Sequence, residues 1–267
     1  VDQVVSSATH LFDEEQLTLR LKQTMAEKDT LARYDEWHQT MSSHEETEIL
    51  NLPWYKTVIS LLPDLSGKKI LEVGCGRGVF ANYLANQFPD ATIVAVDFSS
   101  TAIDIARHQY DAQQNLSFRV ENAESLSFSE DSFDWYISCE TMEHVLRPEL
   151  MMKEICRVLK PRGQFVVTTE NYFNAYALVW LKCWWQNKPF ESGCGVQPHE
   201  NFFLFPQVLS WFRQNGLHID KTQSNHYQWL VLPGVAPSRL CTLEVRGKFL
   251  QWLCKPFGRH FTYRGSV

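Results

Sequence analysis

Two groups of residues in this sequence have the types and spacing of working chemistry. The first is Glu72-Val73-Gly74-Cys75-Gly76-Arg77-Gly78, three alternating glycines behind an acid, together with Asp97 at the end of the apolar run Val94-Ala95-Val96. Glycine lets the chain turn tightly and lets a ligand lie against the main chain, where a Cβ would block both. A carboxylate closing the next strand can accept both hydroxyl hydrogens of a ribose, so the pair points to a nucleoside-bearing cofactor. The second group is Glu140, Glu143 and His144 in Ser138-Cys139-Glu140-Thr141-Met142-Glu143-His144-Val145, with His199 farther along. The first three stand at i, i+3 and i+4 and share one face if the segment is helical. His144 suits either a general base or a structural hydrogen-bonder.

Spacing narrows the cofactor. A dinucleotide fingerprint would place its third glycine at position 79, where this chain has Val79. An acid two residues before the first glycine would repel a pyrophosphate but suits a cationic ligand. S-adenosylmethionine carries an ammonium, a sulfonium and a carboxylate, and the helix N-terminus after Gly78 can receive that carboxylate. Glu72 to Gly78 and Asp97 resemble the first two motifs of the class I S-adenosylmethionine-dependent methyltransferases. Glu121-Asn122-Ala123-Glu124-Ser125-Leu126-Ser127-Phe128 resembles the family segment that holds the adenine, with Asn122 where the family has Asp; Asn keeps an acceptor oxygen. Phe133-Asp134-Trp135-Tyr136-Ile137-Ser138 resembles the fourth strand, and Glu154 to Phe165 resembles the helix, turn and fifth strand that follow.

The resemblance implies that Glu72, Gly74, Cys75, Gly76, Gly78, Asp97, Phe98, Asn122, Ala123, Glu124 and Cys139 line the cofactor. It also implies that the acceptor approaches from the ends of strands four and five, toward Glu140, Glu143, His144 and His199. The Glu-x-x-Glu-His set with a distant His resembles the divalent-metal site of two methyltransferase families. One methylates a polyprenyl catechol in quinone synthesis, the other the terminal 2′-hydroxyl of small RNAs. Two carboxylates and two imidazoles suit Mg²⁺, Mn²⁺ or Zn²⁺. The alternative is a metal-free relative in which Glu140 faces the cofactor and His144 acts alone.

The elements that must position these groups follow from hydrophobic patterning. Short apolar runs at Ile70–Val73, Ala91–Val96, Leu116–Val120, Phe133–Ser138 and Gln164–Thr169 alternate with amphipathic stretches at Val79–Gln87, Ser100–Gln114 and Glu149–Leu159. That alternation predicts an α/β fold, a Rossmann-like sheet that is mostly parallel with helices on both faces; the resemblance implies seven strands. Residues 1–67 read as an N-terminal helical segment covering the active site, 68–170 as the cofactor-binding core, and 171–267 as an aromatic-rich cap that completes the sheet. In the last stretch the patterning gives an apolar segment at 173–185, a helix near Pro206–Asn215 and a strand at Leu217–Thr222.

Composition sets the outer limits. With 267 residues, 44% hydrophobic and 21% charged, the chain is an ordinary globular protein, which sets aside disorder and coiled coil. A net charge of −6 argues against nucleic acid as a partner, although Lys248, Lys255, Arg259, His260 and Arg264 make the C-terminus locally basic. Seven cysteines without a CxxC pair, no signal-like N-terminus and no apolar run near the ~20 residues of a span predict a cytoplasmic protein. Six of the nine Trp (180, 184, 185, 211, 229 and 252) follow strand five, so rings there are candidates to hold an acceptor, to meet a membrane interface or another subunit, or simply to pack. Tyr34 and Trp37 are candidates to fold over the cofactor or to pack in the core. The activity expected is O-methylation of a small apolar or aromatic, natural-product or lipid-linked acceptor. The alternatives are N-methylation of an amine or indole, RNA 2′-O-methylation, and a cofactor-fold protein that binds a partner without turnover.

Overall fold

The computed structural model describes residues 28–39, 50–174, 176–188, 190, 199–227 and 248–267. Trp229 and the residues before 28 lie outside them. In chain order the elements are helix α1 through 28–39, α2 (Pro53–Leu61), β1 (Lys69–Val73), α3 (Val79–Gln87), β2 (Thr92–Asp97), α4 (Ser100–Gln109) and β3 (Leu116–Val120). There follow β4 (Phe133–Cys139), α5 (Pro148–Val158), β5 (Leu159–Glu170), α6 (Tyr176–Trp185), α7 (Phe205–Gln214), β6 (His218–Tyr227), α8 (Lys248–Cys254) and β7 (Gly258–Ser266).

The seven strands form one sheet in the order β3-β2-β1-β4-β5-β7-β6. Pairing is parallel from β3 to β5, and β7 lies antiparallel between β5 and β6. Strands β1, β2 and β4 are almost wholly buried, as both faces of a parallel sheet must be. Their side chains sort with period two: Leu71, Val94 and Tyr136 pack on one face with α5 and α7, while Ile70, Ile93 and Trp135 pack on the other with α3 and α4. The order reverses between β1 and β4, and a crevice forms beyond the carboxyl ends of those two strands.

Three expectations are corrected. Helix α4 stops at Gln109 rather than Gln114: Tyr110 turns in against Phe118, and Asn115 ties back to the carbonyls of Ala85 and Phe88. Strand β5 begins at Leu159 and β6 runs to Tyr227, both longer than the apolar runs suggested. Strand β7 was not legible, because both of its faces are buried and one of them carries His260 and Thr262 opposite Phe261 and Tyr263.

Helix α1 is fastened across the sheet's edge by side-chain bonds. Asp35 accepts hydrogen bonds from the Ser99 hydroxyl and from the Thr101 amide (3.1 Å), capping α4 from outside. Burial works against the Asp35 carboxylate, but the bonds from Ser99 and Thr101 hold it below its usual range. Asp35→Ala is expected to cost about 1 kcal/mol of stability by chemical denaturation. That contribution is lost as pH falls through the lowered Asp35 value, so the difference between wild type and variant closes in acid.

Candidate functional site

The glycine loop leaves β1 with all three glycines at positive φ: Gly74 at 77°, Gly76 at 53° and Gly78 at 81°. Gly74 and Cys75 donate their amides to Val96 O at 2.8 and 3.0 Å, which pins the loop beside the end of β2. A Cβ on Gly74 would lie 2.0 Å from Thr141 Oγ1, so no other residue fits where the loop crosses the end of β4. Asp97 accepts the Gly76 amide on one oxygen (2.8 Å) and the Ser99 amide on the other (2.9 Å). Each oxygen keeps a second lone pair. The burial of Asp97 raises its pKa, against the pull of those amides.

Beyond this loop lies a cavity of about 440 Å³, the size of a small-ligand pocket. Of the predicted cofactor residues, Gly74, Cys75, Gly76, Asp97, Phe98, Asn122, Ala123, Glu124 and Cys139 line it. Gly78 instead packs under Phe118, and Glu72 sits buried behind the loop. Burial, then the charge of Asp97, push Glu72 up to about 8, and its Oε2 has no hydrogen-bond partner. An orphaned buried carboxyl oxygen suits the cationic group of S-adenosylmethionine. Asn122 Oδ1 accepts the Glu124 amide at 2.9 Å, which fixes its orientation at the cavity wall. Glu124 is held by Arg147, whose Nε donates to it at 2.6 Å, so its carboxylate positions the turn. Cys75 and Cys139 are buried thiols whose pKa burial raises, in keeping with packing.

The acceptor-side residues do not gather as their spacing suggested. Glu140, just after β4, turns at φ 51°, and only a short 3-10 turn, Met142–His144, follows; the shared helical face is absent. Glu140 accepts from His260 Nδ1 at 2.7 Å. Burial would raise Glu140, yet His260 beside it holds it below the usual value. Glu143 is buried and accepts from Thr169 Oγ1 at 2.8 Å; burial, then the charges of Glu140 and Glu170, push its pKa well above the usual carboxylate range. His144 Nδ1 lies 2.7 Å from the main-chain oxygen of His199. A carbonyl can only accept, so Nδ1 carries the proton and Nε2 keeps its lone pair. Burial lowers the His144 pKa, so the ring is neutral at physiological pH.

His199 thus meets His144 through its backbone, and its own Nε2 is buried without a partner. Asn201 completes the brace, its amide donating to Glu143 O and its side chain to Val145 O, both at 2.7 Å. Among the described residues, the group with cation-ligand spacing is Glu140, Glu170 and His260, within 4.8 Å of one another. Within it Glu140 Oε2 bonds His260, and Glu170 bonds Arg259 and Tyr172, while Glu140 Oε1 is buried without a partner. The four residues expected to hold a metal do not form one donor set.

Sequence reasoning missed several wall residues. Trp54, Tyr55, Leu52 and His38 line the cavity beside Tyr34 and Trp37, while no described residue of 171–267 does. Apart from Phe98 after β2, the Trp, Tyr and Phe rings at the site therefore come from the N-terminal helices. Trp211 packs on Phe203 and Trp180 stacks on Phe202, while Trp184, Trp185 and Trp252 point to the outside. Arg77 donates to the His38 carbonyl and so draws α1 over the glycine loop. Of the basic C-terminal residues, Arg259 pairs with Glu170 and Arg264 with Asp220. No helix among the described residues is long and apolar enough to cross a membrane.

Residues 71–167 match the family model described as a methyltransferase domain. A ubiquinone biosynthesis O-methyltransferase of Coxiella burnetii (strain RSA 331 / Henzerling II) is 26% identical over 215 residues, covering 78% of this chain and 90% of that protein. A fatty-acid O-methyltransferase of Mycolicibacterium smegmatis is 36% identical over 105 residues, 39% of this chain and 38% of its own. Among solved structures, a Haloferax volcanii methyltransferase complex with the activator Trm112 aligns with TM-score 0.62 at 20% identity, covering 89% of this chain and 96% of that one. A Thermotoga maritima S-adenosylmethionine-dependent methyltransferase aligns with TM-score 0.54 at 22% identity, over 79% and 86% of the two chains.

Proposed function

We propose that this chain, which belongs to the class I S-adenosylmethionine-dependent methyltransferases, methylates an oxygen of a small apolar or aromatic acceptor, natural-product or lipid-linked. The observation that carries the reading is His144: it lines the cavity, is braced through Nδ1 to His199 O at 2.7 Å, and keeps an unprotonated Nε2, which lies 3.7 Å from Glu143 Oε1. A hydroxyl needs its proton removed as it attacks, and a fixed neutral imidazole is the group to take it. The same cavity is lined by Tyr34, Trp37, Trp54 and Tyr55, which favour a flat or greasy acceptor over a charged one. Two of the relatives are named as O-methyltransferases, in keeping with an oxygen acceptor.

When bound, S-adenosylmethionine supplies a methyl group already activated on sulfur, which leaves alignment and proton removal to the protein. Asp97 would hold the ribose hydroxyls, Asn122 and Ala123 the adenine edge, and Glu72 the ammonium. The residues of 28–39 and 50–61 cover the site and select the acceptor. Because the expected metal donors are dispersed, His144 alone takes the proton, and treatment with EDTA is expected to leave turnover within about twofold. The pairing of Arg259 and Arg264 with acids argues against RNA as the acceptor. The described cysteines are all free thiols, which accords with a cytoplasmic setting.

The test is methyl transfer from radiolabelled S-adenosylmethionine to a panel of alkylated catechols, phenols, fatty acids, indoles and amines. Label in an ether or ester is the expected product. Label on nitrogen alone would contradict the reading.

A further inference from the structure

Two helices outside the site expose their apolar side chains. In α6 (Tyr176–Trp185) the buried side chain is Tyr176, whereas Leu178, Trp180 and Leu181 are exposed and Trp184 and Trp185 are 64% and 83% exposed. In α8 (Lys248–Cys254), Phe249 and Trp252 are 71% and 69% exposed and stack on each other at 6.3 Å. Rings of this size are rarely left in water without a partner, and these do not line the cavity.

The two helices are fixed at one corner of the molecule. Phe173, just before α6, stacks on Phe257, just after α8, at 5.7 Å. The Arg259 guanidinium lies 5.2 Å from the centre of the Tyr176 ring, anchoring the start of α6 beside the start of β7. The described segments 176–188 and 248–255 hold four lysines (182, 188, 248 and 255) and no Asp or Glu, in a chain whose net charge is −6. Lys182 and Lys188 are exposed among the tryptophans.

We propose that α6 and α8 together form a docking surface for an anionic lipid bilayer. Exposed Trp, Phe and Leu enter the headgroup region, and the exposed Lys182 and Lys188 meet the lipid phosphates. The contact is peripheral, since each helix is too short to span. Charge separates the bilayer from a second copy of this chain, because a self-complementary contact would bring the lysines of both copies together with no acid of the described segments 176–188 and 248–255 to offset them. The proposal does not depend on which acceptor is methylated.

The full-length protein, sedimented with vesicles of phosphatidylcholine alone or with one quarter phosphatidylglycerol, tests it. Partition onto the anionic vesicles is expected to be at least tenfold stronger, to weaken with salt, and to bring quenching of Trp emission by brominated acyl chains. Trp184→Ser/Trp185→Ser/Trp252→Ser is expected to abolish binding, and Lys182→Gln/Lys188→Gln to lower it roughly tenfold on anionic vesicles. Unchanged thermal melting and S-adenosylmethionine affinity would show both variants folded. Wild-type protein that stays in solution with both vesicles overturns the proposal. So does a dimer in sedimentation velocity that the Trp variant dissolves, which would assign the face to a second copy.

Discussion

Gly74→Ala is expected to reduce S-adenosylmethionine affinity at least a hundredfold in titration calorimetry. The new Cβ would sit 2.0 Å from Thr141 Oγ1 and 2.6 Å from Cγ2, and the residue would have to hold φ 77°. Left-handed backbone alone costs an L-residue roughly 1–2 kcal/mol, and the collision adds to it by forcing the loop off Val96 O. Gly76→Ala provides the contrast, since its Cβ would meet only the His38 ring at 3.8 Å. It carries the backbone strain without the collision and is expected to lose about tenfold. Adding Thr141→Ala to Gly74→Ala removes the two nearest atoms and is expected to restore part of the affinity. Affinity within threefold of wild type in Gly74→Ala would refute the placement of the cofactor against this loop.

His144→Ala is expected to lower kcat by roughly 10²–10⁴, the usual contribution of a positioned general base, with S-adenosylmethionine affinity within threefold of wild type. The pH dependence gives an independent reading. Burial lowers the His144 pKa, so the ring stays neutral below the ordinary imidazole range. The wild-type rate should therefore fall only as pH drops beneath that range and be flat above it. The His144→Ala profile should lack this acid limb. A limb that persists in the variant would assign it to another group, and an unchanged kcat would remove His144 from proton transfer.

Much of this site was legible because its residues are close in sequence and are constrained by backbone. Gly74, Gly76 and Gly78 announced a loop that only positive φ can make, and Asp97 stood where a second parallel strand must end. What lay hidden depends on long-range partners. Glu140 was grouped with Glu143 and His144 by helical spacing, yet Glu140 takes a left-handed turn just after the strand, and its partner is His260 on β7. That strand was itself obscured, because its buried polar residues break the apolar pattern by which strands are recognised. The sequence leaves the rings after strand five open between holding the acceptor, meeting a membrane or another subunit, and packing, and offers Tyr34 and Trp37 as candidates over the cofactor. Besides Phe98, the rings at the cavity are Tyr34 and Trp37, held there by Asp35 bonding to Ser99 and Thr101 and by Arg77 bonding to His38 O, and Trp54 and Tyr55 of α2. Nothing near Asp35 or Arg77 in sequence marks those partners. His199 was expected to contribute its ring, whereas its main-chain oxygen is what orients His144.

The most direct test of the account is a crystal structure with S-adenosylhomocysteine bound. The account predicts the ribose on Asp97, the adenine beside Asn122 and the amino group near Glu72, with the sulfur facing a space bounded by His144 and Trp54. A nucleoside bound away from Asp97, or a sulfur turned from His144, would contradict it.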